Sequence, residues 1–472
     1  PESPYRDRGL FLAGDVARRE GKFQEAAARF GELREKFPES ELAASAAYAQ
    51  ASALYAEDDF KAALPPLDAL LAVGGDEELV RQAKLLRGLT YRGLEQHDRA
   101  VTDLQAYLAS DPPAETAADA RLVLGLSLAA QGKHTEAIAA LTELVNESPD
   151  YAKADQVWYE IGQAELLNKN GTGAFAAFRT LGEKHPQSPH AAEAAFHVAS
   201  HFENQAEAAE EEAAKKAAWK EAATALSTGL SRNPSEGLKE KLRYKLGEMQ
   251  FRGEEFEAAA QTLTTQVNEL PQGELAHHGR FLAAESYFRL DKFDQALPLY
   301  EQLASTAVEP YTARALYRAA SCAQSKKDWS RAEKHFAELL AKFPNDEQKH
   351  QARFGLGVAF QMQNKLNEAR AALTQVAAET DAEVAAKALY GLGEIAFAQQ
   401  QHDEAIDKFL SVAVGYPYPQ WQAMARFEAG RCYLEKKDTE NAAKQFQTVV
   451  ERFPDHPAAQ DCRRLLADLK GN

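Results

Sequence analysis

Sulfur is scarce in this sequence, which has three cysteines and three methionines among 472 residues. Cys322, Cys432 and Cys462 are odd in number and widely spaced, which argues against a disulfide framework and against a zinc site. Cys322 and Cys432 each lie two residues after a small residue that recurs along the chain, where alanine is common. We therefore predict that both are small buried residues.

Long apolar runs and basic clusters are also missing. No stretch approaches the roughly 18 apolar residues that cross a bilayer, so no membrane insertion is expected. Lys and Arg number 54 against 71 Asp and Glu, a formal net charge of −17. The densest basic segment, residues 239–245, has acidic neighbours. Such a surface repels phosphate groups, so nucleic acid is not an expected partner.

Catalytic motifs are absent as well. The sequence contains no nucleophile elbow, Walker loop or plausible triad. His197 and His201 have the spacing of a metal-ligand pair, but no Glu follows His197 and no third ligand is evident, so a chance arrangement on a helix surface is expected. The sequence therefore predicts no enzyme, no catalytic residue, no metal site and no cofactor.

What the chain does contain is one pattern repeated to its C-terminus. Alanine, glutamate, lysine and leucine dominate without sustained β-branched alternation, which predicts an all-α protein. A small residue, here named the crossing residue, recurs every 36 or 37 residues, except for one longer interval. The crossing residues are Gly14, Ala51, Gly88, Gly125, Gly162, Ala199, Gly247, Ala284, Ala320, Gly357, Gly393 and Gly430.

Other positions recur at fixed offsets from the crossing residue. In eleven repeats alanine follows twelve residues later and a large apolar residue four further on, and nine of the twelve repeats end in proline. Small residues let two helices approach closely, the large residue fills the space between them, and proline ends the second helix.

This pattern resembles the tetratricopeptide repeat, and one close match is formed by Trp158, Ile161, Gly162, Ala174, Phe178 and Pro186. The resemblance implies a right-handed α-solenoid, or superhelix, of about twelve antiparallel helix pairs with a C-terminal capping helix. It also implies a non-catalytic scaffold that binds a protein or peptide in a concave groove.

The period departs from the family value of about 34 residues. The three extra residues predict a first helix one turn longer at its start, with Ser40 and Ser188 as helix caps. The longer repeat is similar to that of bacterial envelope members of the family, the Tol–Pal coordinator and the barrel-assembly lipoprotein. This resemblance implies a periplasmic or envelope location, with a cytoplasmic one as the alternative.

Four segments follow from the pattern. Residues 1–187 form repeats one to five, and residues 188–235 form an irregular sixth repeat whose helices are lengthened into a hairpin. Residues 236–454 form repeats seven to twelve, and residues 455–472 form the capping helix.

Candidate binding residues lie three positions before each crossing residue, a position here named the slot. Ten of the twelve slots are aromatic, and in three repeats a Glu and a Phe continue the same helix stripe. The predicted partner-binding residues are Tyr244, Glu248, Phe251, Phe281, Glu285, Phe288, Tyr317, Phe354, Tyr390, Glu394, Phe397 and Phe427.

A carboxylate between two rings suits an Arg or Lys from an extended basic or aromatic segment of a partner. The alternative is that the rings pack against neighbouring repeats while the glutamates stay solvated. Two other functions also stay open: a structural spacer or self-assembling solenoid, and the docking region of a larger enzyme. The oligomeric state is not predicted.

Overall fold

The computed structural model describes residues 5–306, 308 and 310–471. Residues 1–4 and 472, at the ends of the predicted first and last segments, lie outside the described residues. The fold comprises two compact units, Pro1–Leu242 and Arg243–Asn472, whose boundary falls within helix α13.

The described residues form helices and no strand. The helices up to the unit boundary are α1 (Arg6–Arg19), α2 (Phe23–Lys36), α3 (Ala43–Ala56), α4 (Phe60–Val73), α5 (Glu77–Gly93), α6 (His97–Leu108), α7 (Ala114–Ala130), α8 (His134–Glu147), α9 (Ala154–Leu167), α10 (Gly171–Lys184), α11 (Ala191–Ala208), α12 (Glu212–Leu230) and α13 (Glu236–Arg252). The remaining helices are α14 (Phe256–Glu269), α15 (Ala276–Arg289), α16 (Phe293–Ser305), α17 (Tyr311–Ser325), α18 (Trp329–Lys342), α19 (Lys349–Met362), α20 (Leu366–Glu379), α21 (Glu383–Ala398), α22 (His402–Gly415), α23 (Pro419–Glu435), α24 (Thr439–Arg452) and α25 (Ala458–Gly471).

Odd-numbered helices up to α23 are the first helices of twelve antiparallel pairs, and even-numbered helices are the second. Apart from α13, which contains the unit boundary, each first helix packs against the second helix of its own pair and, from α3 on, against the second helix of the preceding pair where both lie in one unit. Successive first helices also contact each other, as α15 does α17 and α19 does α21. Helix α25 packs on α24 after the last pair. The predicted all-α fold of twelve pairs and a terminal helix is confirmed.

The crossing residue of each regular pair meets the large apolar residue sixteen positions later. A Cβ atom on Gly162 would lie 2.6 Å from Cε1 of Phe178, and one on Gly393 would lie equally close to Cε1 of Phe409. These large residues, and Leu226, which follows Ala222 by four residues in the irregular sixth pair, are at most 1% exposed: Phe30, Leu67, Leu104, Leu141, Phe178, Leu226, Leu263, Tyr300, Phe336, Leu373, Phe409 and Phe446. Burial of each such side chain contributes about 1.5–3 kcal/mol to folding.

The turn between the two helices has the same backbone conformation in all eleven regular pairs. The residue seven positions after the crossing residue has φ between 55° and 74°, although only Gly21 and Gly132 are glycines there. The next amide closes the end of the first helix, as in the 3.0 Å bond from Lys133 N–H to the Leu128 carbonyl. The sequence did not reveal this position because Asp, Glu, Lys, Gln and Asn occupy it in the other repeats.

The expected extra turn of the first helix occurs in only some repeats. Helices α5, α7, α13 and α23 have 17 residues, whereas α3, α9, α15 and α19 have 14. Before the shorter helices the additional residues form a turn, as where Ala43 N–H bonds to the Ser40 carbonyl.

The prediction that Ser40 and Ser188 are helix caps is wrong. The residues preceding α3 and α11 are Leu42 and His190. Ser40 Oγ instead donates to Asp7 at 2.5 Å, and Ser188 Oγ donates to Asp155 at 2.7 Å. Each serine therefore links its turn to a first helix one repeat earlier.

The sixth pair has the two longest helices, α11 with 18 residues and α12 with 19. Its first helix continues through the place where the other first helices end in a residue of positive φ. Trp219 and Ala206 are buried within this pair.

Gly393→Ala adds a methyl group where the ring of Phe409 already lies. We expect the free energy of unfolding to fall by about 1–2 kcal/mol, because overpacking forces the ring to move. The double variant Gly393→Ala/Phe409→Leu recreates the Ala51 and Leu67 combination of the second repeat, and it should lose less than the sum of its two single variants. Chemical denaturation of the four proteins measures this coupling, and additive losses would contradict the contact.

Gly132→Ala tests the positive-φ turn. We expect it to lower the free energy of unfolding by about 1 kcal/mol, because a Cβ atom disfavours this backbone conformation. The matched control is Gly9→Ala, whose new methyl group enters open space within α1. The control should be neutral or stabilising, because alanine favours helix by about 1 kcal/mol over glycine. Equal losses in both variants would be inconsistent with strain at Gly132.

Candidate partner-binding site

The predicted slot rings of the second unit lie on first helices and pack within their own pairs. Four contact the large second-helix residue nineteen positions later, with ring centroids 5.3–6.1 Å apart: Phe281 with Tyr300, Tyr317 with Phe336, Tyr390 with Phe409 and Phe427 with Phe446. Tyr244 and Phe354 pack instead against the clusters around Leu263 and Leu373. Apart from Tyr390, which is buried, these rings remain partly exposed. The slot therefore contributes to the core and also leaves aromatic surface on the first helices.

The Glu and Phe residues of repeat eight are already engaged by the chain itself. Glu285 is 6% exposed, and its Oε1 accepts a 2.6 Å hydrogen bond from the Tyr300 hydroxyl. Arg318, from the next first helix, contacts both carboxylate oxygens, at 2.8 and 3.1 Å. Its guanidinium lies 4.8 Å from the centroid of the Phe288 ring. Burial and the carboxylate of Glu285 raise the pKa of Tyr300 well above its usual range.

In repeat seven the glutamate is held along its own helix. Glu248 pairs with Lys245 at 2.9 Å and with Arg252 at 3.2 Å. Phe251, the last residue of this stripe, contacts the ring of Phe256 at 5.3 Å between centroids. This carboxylate therefore already has two basic neighbours.

Repeat eleven differs from both. Glu394 is exposed, and its one hydrogen bond within the described residues is a long contact from Gln361 Nε2, at 3.5 Å. Partial desolvation and the negative charge of Glu428 raise the pKa of Glu394, against the effect of the Gln361 amide. Burial, followed by Glu428 and Glu394, raises the pKa of Tyr390. The carboxylate thus lies in a negative environment.

Arginines of the chain already stack on several of these rings. Arg314 lies 4.9 Å from the centroid of the Phe281 ring. Arg431 lies 5.5 Å from that of Phe397 and 6.0 Å from that of Phe427, while it pairs with Glu428 at 2.8 Å. The first-helix surface of this unit is therefore chemically suited to guanidinium groups.

Two residues that determine the state of these carboxylates were not among the predicted site residues. Arg318 and Glu428 occupy the same position, two residues before a crossing residue, in repeats nine and twelve. A comparison of that column across the repeats would have shown a basic residue next to Glu285 and an acidic one next to Glu394.

The histidine pair on α11 has a packing role. The ring of His197 stacks on Phe178 with centroids 4.4 Å apart, and that of His201 stacks on Phe175 at 4.1 Å. Burial lowers the pKa of His197. Within the described residues, no group of three or more His, Cys, Asp or Glu side chains is placed to hold a metal ion. The three cysteines are free and buried, and burial raises the pKa of each thiol to about 12.

The repeat pattern has a direct counterpart among protein families. Residues 11–77, 85–152, 281–347, 323–378 and 354–420 match the model of the tetratricopeptide repeat, and residues 424–456 match a second model of the same repeat. Together these segments cover more than half of the chain. The chain belongs to the tetratricopeptide repeat family. Tetratricopeptide repeat proteins mediate protein–protein interactions.

Solved structures with similar folds include a tetratricopeptide repeat protein from Parabacteroides merdae, with 16% identity, a TM-score of 0.33, and coverage of 58% of this chain and 98% of that one. The C-terminal part of a repeat-containing protein from Cytophaga hutchinsonii has 14% identity and a TM-score of 0.39, over 66% of this chain and 99% of the other. The Cut9–Hcn1 hetero-tetramer of the APC/C has 13% identity and a TM-score of 0.33, over 98% and 96%. No curated protein matches the chain. Across the described residues, no helix has the length and apolar character needed to cross a bilayer.

Arg318→Met leaves the buried carboxylate of Glu285 without its cation. We expect a loss of about 3 kcal/mol in the free energy of unfolding, because an unpaired buried charge is costly. The double variant Glu285→Gln/Arg318→Met should be more stable than Arg318→Met alone. Lys444→Met, which removes the cation of the exposed pair with Glu440, should change stability little. Denaturant titration compares the proteins, and equal effects of Arg318→Met and Lys444→Met would contradict a buried ion pair.

Proposed function

We propose that this tetratricopeptide repeat protein is a non-catalytic scaffold whose first-helix face in the second unit binds a segment of a partner protein. This face is defined by the slot residues and the Glu and Phe residues that follow them on α13, α15, α17, α19, α21 and α23. The observation that carries the proposal is the row of aromatic side chains, most of them partly exposed, on successive first helices, interleaved with carboxylates and arginines.

The chemistry of the face favours a partner segment with basic and aromatic residues. The slot rings other than Tyr390 are partly exposed and so provide apolar area for a partner. The exposed carboxylate of Glu394 attracts a cation, and the net charge of −17 favours approach of a basic segment over an acidic one.

The test is affinity capture from an extract of the native cells. We compare the wild-type chain with the double variant Phe251→Ala/Phe354→Ala, which removes two rings from different repeats of the face. The matched control is Val414→Ala, which trims an apolar side chain that is 75% exposed on the second helix α22. Circular dichroism must show that all three proteins are folded at the assay temperature.

We expect a partner, identified by mass spectrometry, to bind the double variant at least about tenfold more weakly and to bind the control unchanged. A tenfold loss corresponds to about 1.4 kcal/mol, which is typical of an aromatic interface residue. A partner equally retained by the double variant would exclude this face. If the only protein captured is the chain itself, the result would favour the self-assembling or spacer function.

The cell-envelope location remains part of the proposal. It rests only on the resemblance of the 36- or 37-residue repeat to that of bacterial envelope members of the family, and fractionation of native cells tests it.

A further inference from the structure

The three stripe glutamates of the second unit are neutralised to different degrees. Glu248 has two basic neighbours on its own helix, Lys245 and Arg252. Glu285 has the bidentate guanidinium of Arg318 and the hydroxyl of Tyr300. Among the described residues, Glu394 has no ion-pair partner. Only repeat eleven therefore presents an aromatic stripe with an open carboxylate.

In repeats eight and nine, a side chain of the protein itself occupies the equivalent position beside the carboxylate and the ring. The guanidinium of Arg318 contacts both carboxylate oxygens of Glu285, at 2.8 and 3.1 Å, and lies 4.8 Å from the centroid of the Phe288 ring. Two hydrogen bonds to one carboxylate, made by a cation that also lies over an aromatic ring, form an arrangement that suits arginine better than lysine. This arrangement is a template for the residues at equivalent positions.

Repeats eleven and twelve keep the carboxylate and the aromatic ring of this template, but they replace the hydroxyl and the guanidinium that bind the carboxylate. Glu394 and Phe397 correspond to Glu285 and Phe288. Phe409, which has no hydroxyl, stands where Tyr300 is, and Glu428 stands where Arg318 is. Both internal partners of the carboxylate are therefore replaced, one by a neutral ring and one by a second negative charge.

The surrounding charges do not compensate for this replacement. On its own helix, Glu394 has Tyr390, Gly391, Phe397 and Ala398 at the neighbouring positions three and four residues away, and none is basic. Arg431 lies 5.5 Å from the centroid of the Phe397 ring, but it is paired with Glu428, at 2.8 and 3.1 Å. Lys387 is paired with Glu383 at 3.1 Å and lies over the ring of Trp421. Glu394, Glu428 and Arg431 together leave one uncompensated negative charge.

We propose that Glu394 and Phe397 form a socket for an arginine side chain of the partner protein. The arginine takes the place that Arg318 has in the template at the carboxylate: its guanidinium pairs with Glu394 next to Phe397 and beside Arg431, which already lies over that ring. Gln361, from repeat ten, borders the site, with its Nε2 3.5 Å from a carboxylate oxygen of Glu394. This inference rests on the proposed function, and it names the residue of the partner segment that the face recognises.

The experiment uses the full chain and two small probes, N-acetyl-arginine methylamide and its citrulline counterpart, which has the same shape without the charge. Saturation-transfer NMR titrations measure the binding of each probe. The variants are Glu394→Gln, which removes the charge of the carboxylate, and Glu428→Arg, which restores the internal template. Glu440→Gln, on the exposed surface of α24, is the matched control for the loss of one negative charge.

We expect the arginine probe to bind at millimolar concentration and the citrulline probe to bind at least tenfold more weakly. Glu394→Gln and Glu428→Arg should each weaken arginine binding at least fivefold, while Glu440→Gln leaves it unchanged. Equal binding of arginine and citrulline, or arginine binding that survives in Glu394→Gln, would overturn the inference.

Failure of the socket and failure of the proposed function give different results. Phe251 and Phe354 lie in repeats seven and ten, away from Glu394 and Phe397. If the arginine probe does not bind, while capture of the partner still depends on Phe251 and Phe354, the socket is wrong and the proposed function stands. If capture does not depend on those rings either, the proposed function falls too.

Discussion

In the regular pairs, the contact between the crossing residue and the large apolar residue sixteen positions later is the constraint on which the rest of the structure depends. It sets how closely the two helices of a pair approach, as at Gly162 and Phe178. In four repeats of the second unit, the same second-helix residue also contacts the slot ring. The core residue therefore orients the rings that form the candidate binding face, so stability and recognition share side chains.

This sharing accounts for the chemistry of the face. Most of the rings held by the core remain partly exposed, and the chain places its own guanidinium groups, those of Arg314, Arg318 and Arg431, over three rings of the face. Where Arg318 meets Glu285, the result is a desolvated and hydrogen-bonded pair that belongs to the fold. Two changes of residue type at equivalent positions, Phe409 in place of Tyr300 and Glu428 in place of Arg318, leave the carboxylate of Glu394 without these partners. Repeated architecture thus lets function diverge locally without changing the helix framework.

The helix pairs and the slot rings could be predicted from the sequence, because the packing constraints recur at a fixed period and so produce a repeated residue pattern. The crossing glycines, the alanines and residues such as Phe409 follow directly from helix packing, and so do the slot rings. The turn conformation left no trace, because residues such as Lys327 and Gln400 adopt positive φ where glycine would have signalled it. The roles of Ser40 and of Glu285 depend on partners 33 residues away, Asp7 and Arg318, which one repeat alone does not reveal.

The cysteines have a practical consequence of their own. Cys322, Cys432 and Cys462 lie in α17, α23 and α25, all in the second unit, and each is fully buried. Because burial raises the pKa of each thiol to about 12, a disulfide reagent reaches a reactive thiolate only after the surrounding helices open. The natural chain therefore carries three built-in reporters of local unfolding, at the middle pairs, the last pair and the terminal helix of that unit. The first unit carries none, so thiol exchange follows the dynamics of the second unit alone.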